Sequence, residues 1–283
     1  MLEKIKYLSK ILLPKYQKII LEYPVKNEPR YGHGKPVHQQ INQILQRNHD
    51  RYKEILNEIK THLSFFKSIP LNKQDDLNAT LVWNNEYLPG LDVLVLYTLI
   101  TKYKPEHYIE IGSGNSTLVV KEAIKKNGLA TRITSIDPFP RANIDEISNV
   151  VIRKPVEELF DFNFIQTLQP NDILFIDNSH RSLPNSDVTV CFLDIIPLVP
   201  KGVIIHIHDI YLPFDYPQFM CDRFYSEQYL LAVLLLNSKE FEVIMPNYYI
   251  SQSNDLCVVL EQVWKALPES VEKHGGSFWF KKV

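Results

Sequence analysis

Hydrophobic and polar positions change rhythm near residue 80. Before it, "PVHQQINQILQRNHDRYKEILNEIKTHLSFF" puts Val37, Ile41, Ile44, Leu45, Tyr52, Ile55, Leu56, Ile59, Leu63 and Phe66 near helical spacing with charges between them. That pattern predicts one long or two shorter amphipathic helices, a helical cap over residues 1–80. After it, short β-branched runs alternate with helix-compatible stretches such as "STLVVKEAIKKNG". The runs are "HYIEI" (107–111), "RITSID" (132–137), "NVVIR" (149–153), "DILFID" (172–177) and "GVIIHIHD" (202–209). Strands buried on both faces read this way, so residues 81–283 are expected to form an α/β domain on a mostly parallel sheet with helices on each side. A later helix, "SEQYLLAVLLLN", leads to "FEVIMP", and the closing "SFWFKKV" suits a strand at or beside a sheet edge.

Composition narrows the class. With 283 residues, 45% of them hydrophobic, the chain can bury a sizeable core. A net charge of -2 gives no general pull toward nucleic acid. Cys191, Cys221 and Cys257 are widely spaced with no CxxC, which argues against a disulfide framework or a thiolate zinc site and fits a reducing cytoplasm. The opening "MLEKIKYLSKILLPKYQKII" interrupts its apolar residues with Lys4, Lys6, Lys10, Lys15 and Lys18. It reads as neither a secretory signal nor a transmembrane segment; a solvated face is favoured over an anionic membrane surface, because Pro14 breaks the helix. "EPRYGHGKPVH" (28–38) is read as a connector ahead of a lid over a ligand.

In a doubly wound sheet, ligands bind beyond the carboxyl ends of the strands, near the point where strand order reverses. The first such end is "YIEIGSGNST", which spends two of only nine glycines, Gly112 and Gly114, on one turn. Without Cβ atoms the backbone there can approach a ligand, and Ser116 and Thr117 open the following helix with free N–H groups and hydroxyls. Asp137 ends the next strand about 25 residues on, where a carboxylate can take both hydroxyls of a ribose. The third glycine of a dinucleotide loop is replaced by Thr117, which favours a nucleoside ligand over a pyrophosphate.

These residues resemble a known family. Glu110-Ile-Gly-Ser-Gly114 followed by Asp137 is similar to the cofactor site of class I S-adenosylmethionine-dependent methyltransferases, and the strand series resembles their Rossmann-like seven-stranded sheet. "LFIDNSHRSLPNSDV" and "GVIIHIHDIYLPFDYP" resemble a bacterial subgroup associated with sugar or polysaccharide tailoring. The resemblance implies that Gly112, Ser113 and Gly114 pass beneath the methionine part of the cofactor, with Glu110 organising the loop and the amino group. It further implies polar contacts from Ser116 and Thr117, a ribose on Asp137, and adenine near Pro138, Phe139, Val156 and Glu157.

Methyl transfer requires an acceptor atom held in line with the sulfonium methyl and, for a hydroxyl, removal of its proton. Asp177 and His180 end one strand, His208 and Asp209 the next; His180 is the candidate general base, since imidazole titrates near neutrality. Asp177, His208 and Asp209 also form a candidate divalent metal site, similar to that of metal-assisted sugar and catechol O-methyltransferases. Here His208 stands where an acidic residue is frequent, which weakens magnesium relative to manganese, iron or zinc; a metal-free His–Asp base pair is favoured. His206 is expected to be structural, Asp215 a turn residue, and "YLPFDYP" a stiff aromatic loop at the pocket mouth. Tyr87 and Asp92 either face substrate or are structural. The expected function is O-methylation of a small hydroxylated or glycan acceptor. The alternatives are a nicotinamide-dependent oxidoreductase and a catalytically silent binding domain of the same fold.

Overall fold

A computed structural model describes residues 19, 21–73 and 80–283. Most of the lysine-rich opening stretch, and the surface role expected of it, lies outside the described residues. Seven strands form one sheet: β1 His107–Ile111, β2 Arg132–Ile136, β3 Val150–Ile152, β4 Ile173–Ile176, β5 Ile204–Ile207, β6 Phe241–Pro246 and β7 Phe278–Lys282, in the order β3-β2-β1-β4-β5-β7-β6. The first five are parallel; β7 runs antiparallel between β5 and β6, one strand in from the edge. This is the expected Rossmann-like doubly wound, mostly parallel arrangement. Strand order reverses between β1 and β4, so the ligand crevice is expected outside their carboxyl ends.

Five helices among the described residues have eight residues or more: α1 Gln39–Gln46, α2 His49–Ile59, α3 Gly90–Tyr103, α4 Asn115–Asn127 and α5 Glu227–Asn237. The helical stretch before residue 80 divides at Asn48, whose side chain leaves the helix to donate to Val243 O on β6 (3.1 Å). Ile41, Leu45, Tyr52, Ile55, Leu56, Ile59 and Phe66 are buried in the same continuous apolar core as the sheet. Packed on α2 is α3, whose "LDVLVLYTLI" is buried on every side. It stops at Lys104 in a left-handed conformation (φ 47°), ahead of Pro105.

Register sets the site. Ile136, Ile111, Ile176 and Ile207 align across β2, β1, β4 and β5, so the next residues, Asp137, Gly112, Asp177 and His208, form one row at the sheet edge. The ladder extends through that row: Gly112 N donates to Ile136 O (3.0 Å), Asp177 N to Ile111 O (2.8 Å) and His208 N to Ile176 O (3.0 Å). Short strands can therefore hold four candidate site positions rigidly. No helix among the described residues is long and apolar enough to cross a membrane.

Candidate active site

Two adjoining cavities open along this row. The first, about 380 Å³, is lined by Gly112, Ser113, Asp137, Pro138, Phe139, Val156, Glu157 and Asp177, among others. The second, about 310 Å³, is lined by Tyr87, His180, His208, Asp209, Tyr211, Tyr225 and neighbours, and shares Arg141 and Asp177 with the first.

In the first cavity, Gly112 has φ +81°, and a Cβ there would lie 1.7 Å from Asp177 O. Only glycine fits, because the turn leaving β1 presses on the end of β4. Asp137 is held by two backbone amides, Ser113 N and Phe139 N, both at 2.7 Å, which fixes its carboxylate at the cleft wall. Phe139 is 88% exposed and stands over the opening. Glu110 is fully buried; Tyr108, Ser116 and Thr117 all donate to it. Burial pushes its carboxyl up to about 7 against those hydrogen bonds. The hydroxyls of Ser116 and Thr117, expected at the ligand, are thus turned inward to Glu110, and Glu110 braces the start of α4 from beneath the loop.

The second cavity is organised by two histidines. His180 Nδ1 lies 3.0 Å from Glu227, a carboxylate with no exposure, while Nε2 lies 3.4 Å from both Asp177 and Asp209. His208 repeats the plan: Nε2 is 3.2 Å from fully buried Asp92, and Nδ1 is 3.8 Å from Asp177 and 3.6 Å from Asp209. Asp177 and Asp209 therefore face one another across neighbouring strand ends, sharing both rings. Their side chains keep about a fifth of their exposure (20% and 21%), so both reach the cavity. His180 and Asp209 both have left-handed backbones (φ 61° and 52°), an unfavourable conformation for residues with a Cβ.

Burial opposes charge on the rings, but the carboxylates outweigh it: His180 is raised well above 6.5 and His208 to about 9. Asp177 is lowered, burial notwithstanding, by His208, His180 and Arg141. Both rings thus carry protons at neutral pH, forming charge-assisted pairs with their neighbours. The seat expected for a cation at Asp177, His208 and Asp209 is not formed by these side chains as they stand. Among the described residues no group of three or more His, Cys, Asp or Glu is placed to hold a metal ion.

The aromatic lip divides in role. Tyr211 lines the cavity, whereas Tyr216 is fully buried and packs with Tyr225 and Met220. Asp215 is more than a turn residue: it is buried and accepts from Arg30 N, Tyr216 N and Tyr229 Oη. His206 is structural, stacked on Phe175 at 3.7 Å with Nε2 2.9 Å from Ser277 Oγ, and burial beside His208 drives its pKa well below 6.5.

Residues 109–210 match a protein-family model described as a methyltransferase domain. The matched stretch is similar to a methyltransferase domain. It spans Glu110 to Asp209, the first and last of the expected site residues. An uncharacterized protein of Archaeoglobus fulgidus is 30% identical over 132 residues, 44% of this chain. The matched region spans 59% of that relative's length. Among solved structures, the methyltransferase PaMTH1 of Podospora anserina, bound to SAH, is 15% identical, with 89% of this chain and 100% of that chain covered and a TM-score of 0.42. The O-methyltransferase from Bacillus cereus in complex with SAH is 15% identical, with coverages of 81% and 90% and a TM-score of 0.38.

Glu227, Gly275 and Gly276 are among the residues of the candidate site that the sequence pattern did not single out. Glu227 sits at the head of an otherwise apolar helix, and that lone acid in "SEQYLLAVLLLN" was the available signal. Gly275 and Gly276, a second pair from nine glycines, let the backbone close on Asp92: Gly276 N and Ser277 N donate to its oxygens at 2.8 and 3.0 Å. A Cβ on Gly275 would lie 2.3 Å from Asp92 Oδ1.

Proposed function

We propose that this chain is an S-adenosylmethionine-dependent O-methyltransferase acting on a small hydroxylated acceptor of the sugar or glycan class. The observation that carries this reading is the continuity of the two cavities through Asp177 and Arg141. The nucleoside fits the cleft between Gly112–Gly114 and Asp137, which brings a sulfonium methyl toward Asp177. An acceptor in the second cavity then presents its hydroxyl at Asp177, Asp209 and His180, with Tyr87, Tyr211 and Tyr225 as faces for a sugar ring. The division at residue 80 belongs to the same proposal, with residues 1–80 as a helical layer packed on the methyltransferase domain.

When bound, S-adenosylmethionine supplies an already activated methyl group; the chain supplies position and a destination for the proton. His180 is the proposed base. Because Asp177, Glu227 and Asp209 hold its ring protonated near neutrality, it accepts a proton only after losing that one. Turnover should therefore rise as pH increases above neutrality. A divalent cation at Asp177, His208 and Asp209 is the alternative means of activating the hydroxyl, and chelation of the assay tests it separately.

Calorimetric titration with S-adenosylhomocysteine and with NADH decides between cofactors. Micromolar binding of the former alone is expected, and tight NADH binding without it would overturn the proposal in favour of an oxidoreductase. Transfer of labelled methyl from S-adenosylmethionine to a panel of hydroxylated acceptors then tests the reaction, and failure across the panel despite S-adenosylhomocysteine binding would favour a silent binding domain. His180→Ala should abolish the alkaline rise; an unchanged pH profile would remove His180 from the role of base.

A further inference from the structure

A third cavity opens from the second. It measures about 390 Å³, slightly more than the second, with which it shares Glu86, Tyr87, Pro89 and Glu272. Asn72, Trp83, Asn84 and Ser270 line it and neither of the other two. No step of methyl transfer uses this space.

The loop that separates the second and third cavities is firmly braced. The buried Asn85 amide donates to Val82 O, Trp83 O and Leu88 O (3.2, 3.3 and 3.1 Å) and accepts from Tyr87 N and Leu88 N (3.1 and 2.7 Å). Its backbone carbonyl accepts from Asn115 Nδ2 (3.1 Å), which ties the loop to the start of α4. Within this brace Glu86 is held in a left-handed backbone (φ 68°), a conformation that costs a residue with a Cβ and persists only where its surroundings impose it. The strained residue lines both cavities.

The lining suits hydroxyl groups. Asn84 Nδ2 donates to Asn72 Oδ1 (2.8 Å), so the pair still offers one amide donor on Asn72 and one carbonyl acceptor on Asn84. A hydroxyl both donates and accepts, and vicinal hydroxyls can engage this pair together with the carboxylates of Glu86 and Glu272. Trp83 is 6% exposed, and its indole N–H has no partner among the described residues, although buried indole N–H groups commonly find one. Among the described residues no Lys, Arg or His lines the third cavity, whereas Arg141 and Arg223 line the second. With two carboxylates and no cation in its wall, the third cavity disfavours an anionic occupant.

We infer that the third cavity is a subsite for a neutral glycosyl unit linked to the unit that is methylated, so that the acceptor is an oligosaccharide or longer glycan and not a free monosaccharide. The inference rests on the sugar-acceptor reading proposed above.

Transfer of labelled methyl to glucose, galactose and mannose, compared with cellobiose, lactose and mannobiose, tests the subsite. At least one disaccharide should be methylated with a kcat/KM about tenfold or more above those of its component sugars, roughly what a few neutral hydrogen bonds supply. Ser270→Trp, which fills the third cavity, and Asn84→Ala, which removes its carbonyl acceptor, should erase that advantage while monosaccharide turnover stays within about twofold. That retained turnover also shows that both variants fold. Equal kcat/KM for disaccharides and monosaccharides, or equal losses for both in the variants, would overturn the subsite and leave the sugar-acceptor reading intact. So would a preference for a disaccharide whose second unit is glucuronic acid, since Glu86 and Glu272 should repel its charge. Transfer to none of these sugars, with S-adenosylhomocysteine still bound, would overturn the sugar-acceptor reading and the subsite together.

Discussion

Two imidazoles in the second cavity are clamped between a buried carboxylate and a partly exposed pair: His180 by Glu227, His208 by Asp92. Asp92 itself receives Gly276 N, Ser277 N and Asn247 Nδ2, and these together with His208 keep it ionised despite complete burial. Since the folded-state pKa of His208, about 9, exceeds its ordinary value of 6.5, the protein binds more protons folded than unfolded between those limits. The resulting stability is fully present below pH 6.5 and is lost as pH rises through 9; its upper bound is about 3 kcal/mol. Asp92→Asn should therefore melt several degrees below the unaltered protein at pH 7, with the gap narrowing above pH 9. Calorimetric melts between pH 6.5 and 10 measure this, and a gap that widens with pH would contradict the assigned pairing. The Asp92–His208 pair was not legible beforehand, because its members lie 116 residues apart and an Asp in a first helical turn has an adequate local explanation.

At the scale of elements, the close approach of the β1 turn to the β4 end decides what the cleft tolerates. Gly112→Ala forces a Cβ into the Asp177 carbonyl and a side chain into a left-handed backbone, so it should cost more than about 2 kcal/mol and displace Asp177 from both cavities. Gly128, also left-handed (φ +61°) but with nothing within 4 Å of a Cβ, isolates the conformational part of that cost; Gly128→Ala should lose only about 1 kcal/mol. Urea unfolding of both variants, alongside S-adenosylhomocysteine titration, makes the comparison; equal losses would show that the contact with Asp177 carries no weight. The strands themselves were readable because each is a short β-branched run between breaking residues. The antiparallel insertion of β7 between β5 and β6 was not, since "SFWFKKV" marks a strand without naming its neighbours. Nor was the inward turn of Ser116 and Thr117: a hydroxyl at a helix start serves a cap, a ligand or a buried acid equally well until the position of Glu110 is known.

Across the whole molecule, the second cavity depends on contact between segments nearly two hundred residues apart. The loop 28–38, read from sequence as a connector, is strapped onto "YLPFDYP": Asp215 N donates to Tyr31 O (3.0 Å), His38 N to Pro213 O (2.9 Å), and Arg30 N to Asp215 Oδ2 (2.9 Å). Gly32 (φ +70°) lies so close to Phe214 that a Cβ would meet its ring at 2.2 Å. Behind this strap, Tyr216, Met220 and Tyr225 pack as a small satellite core, and Tyr211 carries its surface into the cavity. The strap therefore holds a wall of the second cavity without lining the first, so loosening it should separate the two. Asp215→Ala leaves Arg30 N without its partner and removes the acceptor shared by Tyr216 N and Tyr229 Oη, while Gly32→Ala breaks the same contact by steric means. Both variants should be cleaved faster within residues 26–36 under limited proteolysis. They should bind S-adenosylhomocysteine within about threefold of the unaltered protein, a difference of less than 1 kcal/mol. Once an acceptor is in hand its KM should rise more than kcat falls, because wall and reacting groups sit on different segments. Cleavage unchanged in both variants would mean that the strap is held by contacts other than those at Asp215 and Gly32. A parallel loss of S-adenosylhomocysteine binding would mean that the two cavities are one mechanical unit, with the cap as much a part of the cofactor cleft as of the acceptor wall.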